Sequence, residues 1–465
     1  MKQKQGEVNT KKSGNMYVSA CFVVVLLFAG CSVPENERVT VSFAAADPHK
    51  ERLEPKPALG PDAGLEQILT YAALQNPGLK SMYHEWRSAQ ERIPAAGALP
   101  DPQLSYTHFL REVETKVGPQ QGKVAVSQMI PSLGTLGLTK DVAALKADVF
   151  KARFEQARAE LFHKVRVLYF DYYYHIQAVR LVQENLQRLV SFKPVVETAY
   201  KTAEVPYAHL LRVQIAIDRE KEHIASLKDS LLNIKNRINT LLDRPAHAEL
   251  PDPVLPPAFT SEEEDMGAHE IDLVLAAYNP DLIILDRRLK MEAKALELAR
   301  HNDAPDYMIG AGWVITGGTD APVEDPGKDP VTLMFGLSIP LNRGKYRSLE
   351  SSQRETLRSF EKKRHDMKNR LSSRARILVQ DIKEAERKII LFRENLIEKA
   401  EQSFNVSQTA FKGGKADFLD MLDSINLIIK LQLKAEKAVV MKAKHISGLY
   451  RLFGDTNTFF KGEGR

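Results

Sequence analysis

The sequence is written twice. Asn76-Pro77 recurs as Asn279-Pro280 and Pro102 as Pro305, each 203 positions later; Ile130-Pro131 recurs as Ile339-Pro340 after 209. Thr198, Ala199 and Lys201 recur as Thr409, Ala410 and Lys412, Leu211 as Leu422 and Leu241 as Leu452, all after 211. Matches that keep their order over so long a stretch mark an internal duplication, so one structural unit must account for both halves. The step from 203 to 209 puts extra residues into the second copy between Pro305 and Pro340, where a surface loop tolerates them. Each copy predicts helix, strand, loop, strand and two very long helices. In the first copy these fall near 64–96, 102–110, 122–131, 136–200 and 206–243; in the second near 271–301, 306–316, 331–341, 344–411 and 416–453. At 1.5 Å per residue, a 60-residue helix is roughly 90 Å long, which no compact globule accommodates. The predicted class is mainly α with a small β part.

The long helices carry a coiled-coil stripe. Leu210, Val213, Ile217, Ile224, Leu227, Leu231, Ile234, Ile238 and Leu241 fall at alternating three and four spacing, with only Glu220 breaking the stripe, and Leu378, Ile382, Ala385, Ile389, Phe392 and Leu396 do the same. A lone hairpin buries only that seam and leaves its flanks in want of neighbours. In the last predicted strand Val331, Leu333, Phe335, Leu337 and Ile339 alternate with Thr332, Met334, Gly336 and Ser338. Tyr307, Ile309, Ala311, Trp313 and Ile315 alternate with Met308, Gly310, Gly312 and Val314, and Val124 and Val126 stand opposite Ala125 and Ser127. One face is lipid-like, the other small or polar, over lengths that suit a tilted membrane strand. Taken singly, each strand also fits an ordinary half-buried hairpin. Four strands cannot close a barrel in lipid, where an open edge leaves backbone groups unpaired. Either they stay in water or several chains share one barrel. The polar loop from Thr316 to Pro330 fits an exposed barrel loop and holds the extra length.

The start of the chain carries Lys2, Lys4, Lys11 and Lys12 and then an apolar run from Met16 to Gly30, which reads as a secretory signal. It ends Leu27-Phe28-Ala29-Gly30-Cys31-Ser32, which resembles a bacterial lipobox. That resemblance makes Cys31 an acylated mature N-terminus, with Ser32 beside it favouring the outer membrane; a plain signal peptide with an incidental cysteine is the alternative. Of the two cysteines, Cys21 then leaves with the leader, so the mature chain forms no internal disulfide. The expected division is a signal peptide at 1–30, an acylated proline-rich tether at 31–63, a first repeat at 64–250, a linker at 251–270, a second repeat at 271–455 and a tail at 456–465.

Several segments together carry a family resemblance over about 64–455. They are the two Asn-Pro pairs, Gly97 to Pro102, Gln128 to Pro131 with Gly134, Ser338 to Pro340 with Gly344, and Phe411 to Asp423. Ordered and duplicated, they resemble the TolC-like outer-membrane efflux factor family. The resemblance implies a homotrimer in which each chain gives four strands to a twelve-stranded outer-membrane barrel and its helices to a periplasmic α-barrel. It implies a passive exit duct, coupled by a periplasmic adaptor to an inner-membrane pump. The segment from Gly97 to Pro102 looks most like the branch serving heavy-metal cation exporters of the resistance-nodulation-division type; drug export and one-step polypeptide secretion stay open. The turns near 200–206 and 411–416 become the periplasmic tips that meet the adaptor, with Tyr200, Ala203, Phe411, Gly413 and Gly414 as the contact residues. Ala203 stands where Gly414 falls in the other copy. Asp417, Asp420 and Asp423 share a helix face. Asp417 also fits as a helix-start carboxylate, whereas the resemblance makes Asp420 and Asp423 the periplasmic gate.

Other chemistry finds little support. Lys and Arg exceed Asp and Glu by only 5, which gives no electrostatic case for nucleic acid. His84-Glu85 is half of a zinc-protease motif, and the 12 His show no second pair at ligand spacing. Gly413-Gly414-Lys415 lacks the remainder of a phosphate loop. No nucleophile, acid–base pair or cofactor site emerges, so no enzyme is expected. Tyr169, Tyr172, Tyr173 and Tyr174 with Phe170 read as packing, and Lys362 to Lys368 as a solvated face. The 11 Met are scattered along the sequence and form no visible ladder for soft metals. A periplasmic coiled-coil scaffold lipoprotein without a pore is the competing class; it explains the helices and Cys31 but not the duplicated strands.

Overall fold

The computed structural model describes residues 59–259, 267–320, 322, 324–412 and 418–454. The first predicted helix is two, α1 (Leu65–Gln75) and α2 (Pro77–Ala96). A residue before proline is pushed out of the helical region, and Asn76 takes φ −61° and ψ 119°. Its side chain caps α2 by accepting from the Leu79 N–H at 2.9 Å. The same break corrects the second copy. There the helix expected over 271–301 is α5 (Ala268–Tyr278) and α6 (Pro280–His301), with Asn279 accepting from the Leu282 N–H at 3.0 Å.

Between these pairs run strands β1 (Gln103–Val113) and β2 (Gln120–Ile130) and helices α3 (Thr135–Lys201) and α4 (Tyr207–Leu241). The second copy continues with β3 (Asp306–Thr316), β4 (Val331–Ser338), α7 (Arg343–Ile390), a π-helical turn at Leu391–Leu396, α8 (Ile397–Lys412) and α9 (Phe418–Leu452). Strand β4 stops at Ser338, short of the expected 341. Pro340 has no N–H to give a ladder, and the Asn342 side chain already caps α7, accepting from the Lys345 N–H at 3.1 Å. The long helix expected over 344–411 is interrupted by the π turn. The repeat offset rises from 209 at Pro131/Pro340 to 211 at Thr198/Thr409, so this helix carries surplus residues that α3 lacks. A π turn holds more residues than an α turn and takes up part of the surplus.

The four strands form one antiparallel sheet in the order β1-β2-β3-β4. Helices α2, α3, α6 and α7 pack side by side in the same order, each continuing one strand. Farther from the sheet, α3 packs on α4 and α9, and α9 on α7 and α8. The core at that end joins Leu189 and Val196 of α3, Leu210, Val213 and Ile217 of α4, and Phe418, Met421, Leu422 and Ile425 of α9. The three- and four-spaced stripe of α4 thus meets two helices. Helix α9 is also tied on both sides by ion pairs, Lys444 to Asp171 of α3 at 2.5 Å and buried Lys442 to Glu386 of α7 at 2.8 Å.

Each capping asparagine has a second task. Asn76 Nδ2 donates to the Leu241 carbonyl at 2.9 Å, and Asn279 Nδ2 to the Leu452 carbonyl at 2.8 Å. One side chain starts a helix and closes the end of another, at the same place in both repeats. Just beyond those ends, Asp243 and Gly454 occupy equivalent positions and both take positive φ, 52° and 73°.

The tyrosine group on α3 packs as expected, with Tyr169, Phe170 and Tyr172 buried. The Tyr169 hydroxyl donates to the Val254 carbonyl at 3.0 Å and accepts from its N–H at 2.9 Å. Phe259 lies 5.0 Å from Phe170 and 5.5 Å from Tyr450, centroid to centroid. The described part of the segment read as a linker is therefore fastened to the bundle through 259, and the next helix, α5, starts at Ala268. Burial, helped by the charges of Asp252 and Glu249, pushes the Tyr172 hydroxyl up to about 12.

Candidate functional site

The sheet register sorts the side chains into two faces. Residues directly opposite share a face, so Leu104, Val126, Ala311 and Leu333 form one row, and Tyr106, Val124, Trp313 and Val331 the next. Toward the helices, Gln128, Ile309 and Phe335 form the next row, and Ile130, Tyr307 and Leu337 close the band. This face is bare: Leu333 is 76% and Phe335 81% exposed. From Tyr307 to Ile315 the band runs about 27 Å along the strand, or about 20 Å upright at a barrel tilt. Aromatic residues lie toward both ends, Tyr307 at one and Tyr106 and Trp313 at the other. Such girdles are where membrane strands place amphipathic rings.

The opposite face is small and polar. Its rows pair Ser105, Ala125, Gly312 and Thr332, then Gln103, Ser127, Gly310 and Met334. Among the described residues no helix is long and apolar enough to cross a membrane. The apolar face of the sheet is the lipid-compatible surface. Its outer edge carries a short β1–β2 turn and the longer β3–β4 loop that absorbs the repeat's extra residues. Two hydrogen bonds join them, Gly317 N–H to the Pro119 carbonyl at 2.7 Å and Gly327 N–H to the Val117 carbonyl at 2.6 Å.

At the far end, α3 and α4 meet in a tight reversal. Ala203 takes φ 60°; its N–H donates to the Tyr200 carbonyl at 3.0 Å and the Glu204 N–H to the Ala199 carbonyl at 2.8 Å. This is the Schellman pattern, in which the left-handed residue is usually glycine. The alanine adopts that conformation itself at a cost of about 1 kcal/mol. Pro206 follows as the cap of α4, and Tyr200 and Tyr207 face each other across the turn at 5.3 Å. Ala203→Gly should therefore stabilise the protein by about 1 kcal/mol and Ala203→Val should weaken it, as read from thermal midpoints.

At the other tip Phe411 lies 5.8 Å from Phe418, an edge contact that draws α8 toward α9. Gly413, Gly414, Asp417 and Cys31 lie outside the described residues. Asp420 and Asp423 stand three apart on the exposed side of α9, away from buried Met421, Leu422 and Ile425. Neither forms an ion pair among the described residues. Leu427 continues the same exposed strip. Among the described residues no group of His, Cys, Asp or Glu is placed to hold a metal. In the open pocket lined by Asp272, Lys368, Ser372 and Arg376 the Asp272 carboxylate is already engaged, accepting from Ser372 at 2.6 Å and from Arg376 at 3.2 Å.

This combination, one small sheet with a bare apolar face continued by very long paired helices, is the architecture of outer-membrane channel proteins. Outer membrane protein VceC of Vibrio cholerae superposes with a TM-score of 0.69 at 15% identity, over 84% of this chain and 96% of that one. CusC matches with a TM-score of 0.72 at 13% identity, over 86% and 95%, and the MtrE outer membrane channel of Neisseria gonorrhoeae with 0.68 at 14%, over 86% and 93%. No family model matches the sequence, and no curated protein does. The chain has the TolC-like fold.

Proposed function

We propose that this chain is one third of an outer-membrane exit duct of a tripartite efflux system. Three copies join edge to edge, β4 and α7 of one against β1 and α2 of the next. The strands then form a twelve-stranded barrel and the helices a periplasmic tunnel. The observation that supports this most is the sheet: its apolar face is bare, and the outer edges of β1 and β4 have no strand partner among the described residues. Unpaired strand edges do not persist in lipid, and closure by three copies satisfies them together with the free flanks of α2 and α7. Acylated Cys31 fastens each copy to the membrane. The duct is passive and performs no chemistry of its own. Energy comes from an inner-membrane pump, reached through a periplasmic adaptor that meets the tips at Tyr200, Ala203, Phe411, Gly413 and Gly414.

Planar-bilayer recording with mass measurement in native-like lipid tests the reading. A trimer with discrete conductance supports it; a monomer with no conductance indicates a scaffold. Three copies of Asp420 and Asp423 bring six carboxylates to one mouth, where they attract cations and repel each other. Asp420→Ala with Asp423→Ala should raise single-channel conductance several-fold and lower cation selectivity. Unchanged values in both would remove the gate from the proposal.

A further inference from the structure

The small face of the sheet holds one chemically distinct group. Met129 of β2 pairs directly with Met308 of β3, Met308 with Gly336 of β4, and Met334 of β4 with Gly310 of β3. Three methionines from three strands therefore share one face on adjoining rows, although they are scattered in the sequence. The glycines make room for them. The Met308 Cε stands 2.8 Å from where a Cβ on Gly336 would lie, and the Met334 Cε 3.2 Å from one on Gly310. Each thioether leans across the glycine of the strand opposite, so the two side chains pass one another between β3 and β4. Met129 stands directly opposite Met308 in the same row, on the β2 side, while the Met308 side chain leans toward β4. Met129 and Met334 are exposed. Their neighbours on this face include Ser127, Asp306, Thr332 and Ser338, not an apolar core, so these methionines do not fill a packed interior.

We propose that Met129, Met308 and Met334 form a transit site for a soft monovalent cation such as copper(I) or silver(I). Thioether sulfur is a neutral, polarisable donor that selects such ions over hard ones. Binding forms sulfur–metal dative bonds with no proton released and no change of oxidation state. Two or three neutral donors hold an ion loosely, which suits passage, because a site that conducts must also let go. This inference rests on the exit-duct reading. If three copies close a barrel, nine thioethers ring the duct where the strands enter the helices. Lys123 lies on the same face farther toward the outer loops, so the sulfur belt precedes a positive charge on the way out.

The test uses the full chain, silver(I) as probe, and the Met129→Leu, Met308→Leu, Met334→Leu triple variant, which keeps volume and removes sulfur. Met441→Leu serves as control for an exposed methionine outside the sheet. Sulfur ligation is read by X-ray absorption, affinity by titration, and conductance on the same samples. Wild type and control should bind silver through sulfur, and the triple variant about tenfold or more weakly, with conductance unchanged. Affinity should not vary over the range in which histidine and cysteine titrate. A conducting wild type with no sulfur-bound silver, or equal affinity in the triple variant, overturns the site and leaves the duct standing. A protein that conducts nothing removes the duct and the transit site with it.

Discussion

Leu333→Arg is expected to abolish membrane insertion. Leu333 lies in the middle row of the apolar band, opposite Ala311, and is 76% exposed. An arginine on the lipid face of a membrane strand at mid-depth costs about 2–4 kcal/mol, hence roughly 6–12 kcal/mol when three copies insert together. The comparison that isolates the cause is Ser105→Arg, which places the same charge on the small face of edge strand β1. That variant should insert as wild type does, with only ion selectivity altered. The measurement is the fraction of protein recovered as folded oligomer in lipid. Equal recovery of the two variants would mean that neither face meets hydrocarbon.

The second large effect is expected at Asn279. This side chain is fully buried, caps α6 and holds the Leu452 carbonyl at the end of α9. Asn279→Ala loses a cap worth about 1 kcal/mol and strands a buried carbonyl for about 1–3 kcal/mol more. The expected loss is about 2–4 kcal/mol in denaturant titration. Asn279→Ser retains an oxygen for the cap but not the reach to Leu452 and should recover part of it. Asn76→Ala, at the partly exposed equivalent position, should cost less. If Asn76→Ala and Asn279→Ala weaken the protein equally, burial is not what gives the second asparagine its weight.

The sequence made a good deal of this legible. The duplication, the extra loop length and the alternation in 306–316 depend on order and period, which a single chain displays directly. The Asn-Pro pairs stood out, yet the helix expected over 64–96 runs through one of them, because helical periodicity resumes on the far side of Asn76. The link from Asn76 to the Leu241 carbonyl crosses 165 positions and leaves no local mark. The methionine row was invisible for the same reason. Met129, Met308 and Met334 meet only through strand register, and register depends on which residues face each other across β2, β3 and β4. The left-handed conformation of Ala203 was not legible in its residue type, since such positions usually fall to glycine; only its alignment with Gly414 marks the place.

The π turn at Leu391–Leu396 has a consequence for symmetry. Two tandem copies of one unit, three chains around an axis, would make six equal spokes if the halves were interchangeable. The surplus residues sit in one half only, as does the alanine turn at 203. The proposed ring of three chains would therefore be threefold and not sixfold, with two kinds of hairpin in alternation. An adaptor gripping the six prongs of that proposed ring would have to tolerate two kinds of handle or choose one.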